Sequence, residues 1–196
     1  MINNHAYEVM KEFLKDYNKT IYGRELIGKV NLSVKGISLL LNKLEDEKVL
    51  VSMKQGGIKY FSLNKKNPSI KKYIVITEIM YSIKFLEGKI KIRHIFEKLI
   101  NLGQIVCIFG SYARETQKKD SDLDLFVVGN FNKEQIKKIK EINNIYNLKI
   151  NVKNITKSNF IKAIKENNLL IKEILVNHVI LSGYDGFVKG VINQIW

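Results

Sequence analysis

From Ala6 onward the apolar residues fall at 6, 9, 10, 13, 14 and 17. That spacing of threes and fours predicts an amphipathic helix through Tyr17. A short second helix is expected over 23–30, with Leu26, Ile27 and Val30 turned inward. Residues 31–33 form a turn in which Ser33 can cap the next helix. That third helix buries Ile37, Leu40, Leu41 and Leu44 and ends near Lys48. Residues 49–55 and 58–63 have strand composition and are separated by Gly56-Gly57. Two glycines can adopt the positive φ angles that a two-residue hairpin turn demands. Pro68-Ser69 opens a further helix over 70–86, with proline in the first turn where its missing N–H costs nothing. This helix is apolar on nearly every side, so it is expected to be buried, either between domains or against a second copy of the chain. Another amphipathic helix follows over 92–102.

The second half has a different rhythm. The short apolar run 105–109 reads as a buried strand that turns into a helix start at Gly110-Ser111. A second strand, over 120–128, is apolar on both faces. A helix over 133–146 places Ile136, Ile139 and Ile142 inside and Lys137, Lys138 and Lys140 outside, the lysines reading as a solvated face. A strand over 148–152, one or two helices over 160–176, a strand over 178–182 and a closing loop and helix over 183–196 complete the pattern. The chain is therefore expected to be α+β and to divide at 1–67, 68–102 and 103–196. The first segment, three helices and then a hairpin, resembles a winged helix-turn-helix. The stretch from Ser33 to Glu45 is similar to the recognition helix of that family, which enters the major groove of DNA. The resemblance implies that Ser33, Lys35, Ser38 and Asn42 face DNA and that Lys54 and Lys59 on the wing meet phosphates. Leu39 stands where such helices often carry a basic residue, which argues against strong direct base readout. The middle segment resembles the helices through which such proteins dimerise, which implies a homodimer.

Composition changes the picture in one respect. The net charge is +14, from 33 basic and 19 acidic residues. The excess is spread over all three segments, which suits a polyanionic partner such as double-stranded DNA but also suits a merely solvated lysine-rich surface. Cys107 is the sole cysteine, so no intramolecular disulfide can form, and it is expected to be a buried core thiol. The polar start of the chain lacks the apolar core of a signal peptide. No uncharged run approaches the roughly 18 residues that would span a membrane. A cytoplasmic location and no membrane contact follow as expectations. His5, His94 and His178 are scattered, without the spacing of a zinc site.

The candidate chemistry lies in two short motifs. Backbone N–H groups at the Gly110-Ser111 helix start, with the Ser111 hydroxyl, suit a phosphate. Asp122 and Asp124 lie two apart in a strand and so project from one face, about 6.6 Å apart along it. Paired carboxylates repel unless a cation joins them, and oxygen ligands suit Mg2+. Each motif alone is weak. Together, Gly110-Ser111-Tyr112-Ala113-Arg114 and Asp120-Ser121-Asp122-Leu123-Asp124-Leu125 resemble the signature of the DNA polymerase β-type nucleotidyltransferase superfamily, closest to its minimal members. The resemblance implies a small mixed sheet flanked by helices over 103–196. It implies that Gly110, Ser111 and Arg114 hold nucleotide phosphate and that Asp122 and Asp124 bind the metal and serve catalysis. Two positions depart from it. Glu115 stands where these members usually carry glycine. The strand that should supply a third carboxylate has Asn151 instead, and no acid occurs between Glu141 and Glu166. An amide cannot act as a base. The leading expectation is a winged-helix DNA-binding regulator whose second domain binds Mg2+ and a nucleoside triphosphate. Two other functions stay open: an active enzyme transferring a nucleoside monophosphate from the triphosphate to a protein or small acceptor, and an antitoxin-like protein with a protein partner and a degenerate site.

Overall fold

The computed structural model describes residues 3–196, and these form two compact units, 3–77 with Trp196 and 78–195. The first unit begins with α1 (Asn4–Lys11), capped by the Asn3 carboxamide, which accepts from the Ala6 N–H at 2.8 Å. This helix is shorter than the periodicity predicts. Phe13, Leu14 and Tyr17 are buried, but they sit in successive turns beyond its end. The expected second helix is only a single 3-10 turn, Gly23–Leu26, preceded by a short strand β1 (Thr20–Tyr22). Next comes α2 (Val34–Asp46), with the Ser33 hydroxyl accepting from the Gly36 N–H at 3.2 Å. It buries Ile37, Leu41 and Leu44 as expected, while Leu40 is half-buried. β2 (Leu50–Gln55) and β3 (Ile58–Leu63) form the hairpin, with Gln55 opposite Ile58. Gly56 and Gly57 take φ angles of 55° and 78°, which the tight turn requires. β1 joins the far side of β3, so the sheet order is β1-β3-β2, antiparallel throughout.

Helix α3 (Ile70–Leu86) follows, and the division between the units falls within it. Ile70, Ile74, Phe85 and Leu86 are buried, but Ile76 and Ile83 remain 45% and 57% exposed, so the burial expected on every side is incomplete.

The second unit continues with α4 (Ile90–Leu99), slightly earlier than expected, and a four-stranded mixed sheet. Its strands are β4 (Ile105–Phe109), β5 (Leu123–Val128), β6 (Ile150–Ile155) and β7 (Val179–Ser182), in the order β6-β5-β4-β7. β4 runs antiparallel to both β5 and β7, and β5 runs parallel to β6. The parallel pair needs a crossover, which α6 (Lys133–Tyr146) provides. A complete capping box at Asn132 and Gln135 starts that helix, and Asn147 with a φ of 43° stops it. One face of the sheet, including Val106, Ile108, Leu125 and Val127, packs in a core with Ile95 and Leu99 of α4 and Ile139 and Ile142 of α6. On the other face Phe126 meets Phe160 of α7 (Lys157–Lys165) at 5.8 Å between rings, and Phe160 meets Phe187 of α9 (Tyr184–Ile195) at 6.0 Å. Both faces are covered, which is why β4 and β5 are apolar without alternation. Helix α8 (Leu169–Val176) lies between α7 and β7 in the chain. Cys107 is fully buried in β4, and burial pushes its thiol well above the usual range, with the Glu78 charge adding to the effect.

Candidate functional site

The site residues gather at the start of β5. Phe109, the last residue of β4, pairs with Asp124. The chain then bends into α5 (Gly110–Ala113), a single turn that no side chain caps. Gly110 takes a φ of 69°. A methyl group built on its Cα would strike the Asp124 carboxylate and lie 3.2 Å from Asp124 Cγ. The glycine is thus required twice, by its backbone conformation and by the carboxylate that rests against it. The bend and the acid are in direct contact.

Asp122 lies one residue before β5 and Asp124 is its second residue, both half-buried. Their carboxylates converge. Asn151 in β6, opposite Asp124 in the parallel register, donates its amide to Asp122 Oδ2 at 3.1 Å and to Asp124 Oδ1 at 3.3 Å. Lys149, which the sequence did not single out, donates its ammonium to Asp122 Oδ2 at 2.7 Å. The hydrogen bonds from Lys149 and Asn151 hold the Asp122 carboxyl below the usual carboxylate range. Tyr112 lies on the same bend. Burial raises its phenol above the usual range, and the Asp122 charge raises it further. The sequence signal for Lys149 was the strand period: it lies two residues before Asn151, so it reaches the same side.

Other predicted residues are engaged elsewhere or belong to the first unit. Arg114 forms an ion pair with Glu173 of α8 at 2.9 Å. Glu115 adopts a positive φ of 57°, the region that favours glycine. Its carboxylate is held by Lys89 at 2.7 Å. In the first unit Lys35, Ser38 and Lys54 are exposed. Asn42 and Lys59 are tied together: the Lys59 ammonium donates to Asn42 Oδ1 at 2.9 Å and to Glu45 at 2.5 Å. That network joins β3 to α2.

The donor set at the bend fits a hard cation. Both carboxylates already accept from the single Asn151 amide nitrogen, and a half-turn of that amide would offer an oxygen in its place. Among the described residues no group of three or more His, Cys, Asp or Glu side chains is placed to share a metal ion. Also among them, no helix is long and apolar enough to cross a membrane.

Comparison with known proteins bears on the second unit. Residues 89–181 match the nucleotidyltransferase domain family. The match runs from before β4 into β7 and includes the bend, both aspartates and Asn151, and the α+β fold agrees with it. No curated protein matches the chain. A solved structure described as "Crystal structure of the toxin-antitoxin with AMP-PNP" is similar at 18% identity, covering 55% of this chain and 84% of that one, with a TM-score of 0.39.

Proposed function

We propose that the second unit binds a nucleoside triphosphate together with Mg2+ at the bend between β4 and α5, as a ligand whose binding the protein senses. The observation that supports this most directly is that Asp122 and Asp124 accept from the same Asn151 amide, with Asp124 against Gly110, inside the segment that matches the nucleotidyltransferase domain. Asp122 and Asp124 would hold the ion, which supplies positive charge for the polyphosphate. The backbone N–H groups of the α5 turn and the Ser111 hydroxyl face the task of binding phosphate. Arg114 can assist once it leaves Glu173, an exposed pair that costs little to break.

Binding is favoured over transfer chemistry because of Asn151. It stands in register with Asp124, and the family resemblance would put there a third carboxylate to take the acceptor's proton. An amide has no basic lone pair to offer there. Isothermal titration with Mg-ATP and Mg-GTP tests the reading. Saturable binding by the wild type that disappears in the Asp122→Ala/Asp124→Ala double variant is expected. No binding by the wild type, or equal binding by the variant, would remove it.

For the first unit, the order of helix, turn, helix and hairpin supports contact with double-stranded DNA through Lys35, Ser38 and Lys54, which are all exposed. The ties from Lys59 to Asn42 and Glu45 give Lys59 and Asn42 a structural task, and Ser33 caps α2 through its hydroxyl, so of the six expected residues the burden falls on Lys35, Ser38 and Lys54. A gel shift should show affinity that falls with salt and with Lys35→Glu. Affinity indifferent to both would discard DNA as the partner.

A further inference from the structure

We propose that Lys149 is a tethered counter-ion of the acid pair, occupying part of the place a divalent cation would take and thereby setting how tightly the protein holds metal on its own. This rests on the reading that Asp122 and Asp124 are the metal ligands.

The backbone of Lys149 is pinned, because its carbonyl accepts from the Leu123 N–H at 2.8 Å, immediately beside the acid pair. Its side chain is 69% exposed and reaches back to Asp122 Oδ2 at 2.7 Å. Asn151, two residues on, brings its N–H to the same oxygen at 3.1 Å and to Asp124 Oδ1 at 3.3 Å. The end of β6 therefore delivers two hydrogen-bond donors, one of them cationic, onto the oxygens that a metal needs. A carboxylate oxygen can keep a hydrogen bond while it holds a cation, but each N–H in the cleft between the acids, and above all the ammonium charge, competes with an arriving ion for the same electron density. With the ammonium in place the cluster carries about one net negative charge instead of two, and an arriving dication meets a like charge. Because the lysine stem is flexible and solvated, the ammonium can leave. The consequence is a weakened metal site rather than a blocked one. Metal alone binds poorly, and the phosphates of a nucleotide supply the missing negative charge and oxygen ligands.

The test uses the full chain without nucleotide and reads free Mn2+ by electron paramagnetic resonance. Wild type, Lys149→Met, Lys149→Arg and Asp122→Asn/Asp124→Asn are compared. Lys149→Met should bind Mn2+ roughly threefold to tenfold more tightly than wild type, as removal of one exposed opposing charge allows. Lys149→Arg should bind as weakly as wild type, and the double aspartate variant should not bind. Equal affinity of wild type and Lys149→Met, with both dependent on the aspartates, overturns the role of Lys149 and leaves the metal site standing. No Mn2+ binding by any variant overturns both. Because Lys149 is exposed, Lys149→Met should unfold at the wild-type temperature, which separates the charge effect from misfolding.

Discussion

Replacing Gly110 by alanine tests the contact on which the site is built. The backbone there has a φ of 69°, and a left-handed conformation costs a residue with a Cβ about 1–2 kcal/mol. Alanine recovers about 0.5 kcal/mol of that through the less flexible unfolded chain. The new methyl group would also overlap the Asp124 carboxylate, and Asp124 is too short to swing clear without leaving its place beside Asp122 and Asn151. Crowding of this kind adds about 1–3 kcal/mol. Gly110→Ala should therefore cost about 2–4 kcal/mol. Gly88 is the control within the same unit. Its φ is 73°, but a methyl group there meets nothing within 4 Å, so Gly88→Ala should cost only about 1 kcal/mol. Urea unfolding measures the difference, and a Mn2+ titration measures the site. Displacing one ligand carboxylate should weaken Mn2+ at least about tenfold in Gly110→Ala. Gly88→Ala should leave Mn2+ affinity unchanged. If the two variants match in both stability and Mn2+ affinity, Asp124 does not depend on the bend and the argument for a joined site fails.

Four further outcomes are expected. Asn151→Asp places a third carboxylate beside Asp122 and Asp124; it should lower thermal stability without metal and restore it with Mg2+, and a variant equally stable with and without Mg2+ would show that the three oxygens do not share an ion. Glu78 and His178 form a fully buried pair at 3.1 Å, so Glu78→Ala should cost about 3–5 kcal/mol in urea unfolding, with Glu78→Leu/His178→Phe recovering much of it; equal losses in both variants would be inconsistent with a charge effect. Burial works to lower the His178 pKa, but the Glu78 charge and hydrogen bond, with the Ile174 and Leu175 carbonyls, outweigh it and raise the value above 6.5, so that stability is fully present below about pH 6.5 and declines as pH rises through the folded-state value. A stability–pH curve unchanged above pH 6.5 in His178→Phe relative to wild type would contradict this. Glu115→Gly should gain about 1 kcal/mol from the relieved positive φ, less about 0.5 kcal/mol for the lost exposed pair with Lys89, so unfolding at or slightly above the wild-type midpoint is expected and a clear loss would count against backbone strain there.

The second unit was largely legible because its strands are short apolar runs fenced by punctuation. β4 ends at Gly110, β6 follows the left-handed Asn147, and β7 is stopped by Gly183 with a φ of 79°. The approach of Asp122 to Asp124 followed from the two-residue period of an extended chain. What periodicity could not give was register. Asn151 was assigned to the third position by resemblance, but the amide's bonds to both acids depend on the parallel alignment of β5 and β6. Lys149 escaped because a lysine at a strand end reads as solvated until its partner is known. The first helix was overextended for a related reason: Phe13, Leu14 and Tyr17 are buried by successive turns, and inward-pointing turns repeat apolar residues at much the same spacing as a helix. β1 is three residues long, too short to show alternation. The pairing of Glu78 with His178, one hundred residues apart, left no trace in either local pattern.

The strand order β6-β5-β4-β7 fixes when the second unit can close during synthesis. β4 is flanked by β5, which emerges soon after it, and by β7, which emerges about seventy residues later. Until residues 179–182 leave the ribosome, one side of an entirely apolar strand has unclaimed N–H and C=O groups, an adhesive edge of the kind that recruits other chains. A nascent chain halted between β6 and β7 would hold the bend and both aspartates but would carry that open flank, so premature termination there should yield aggregates rather than a smaller working domain.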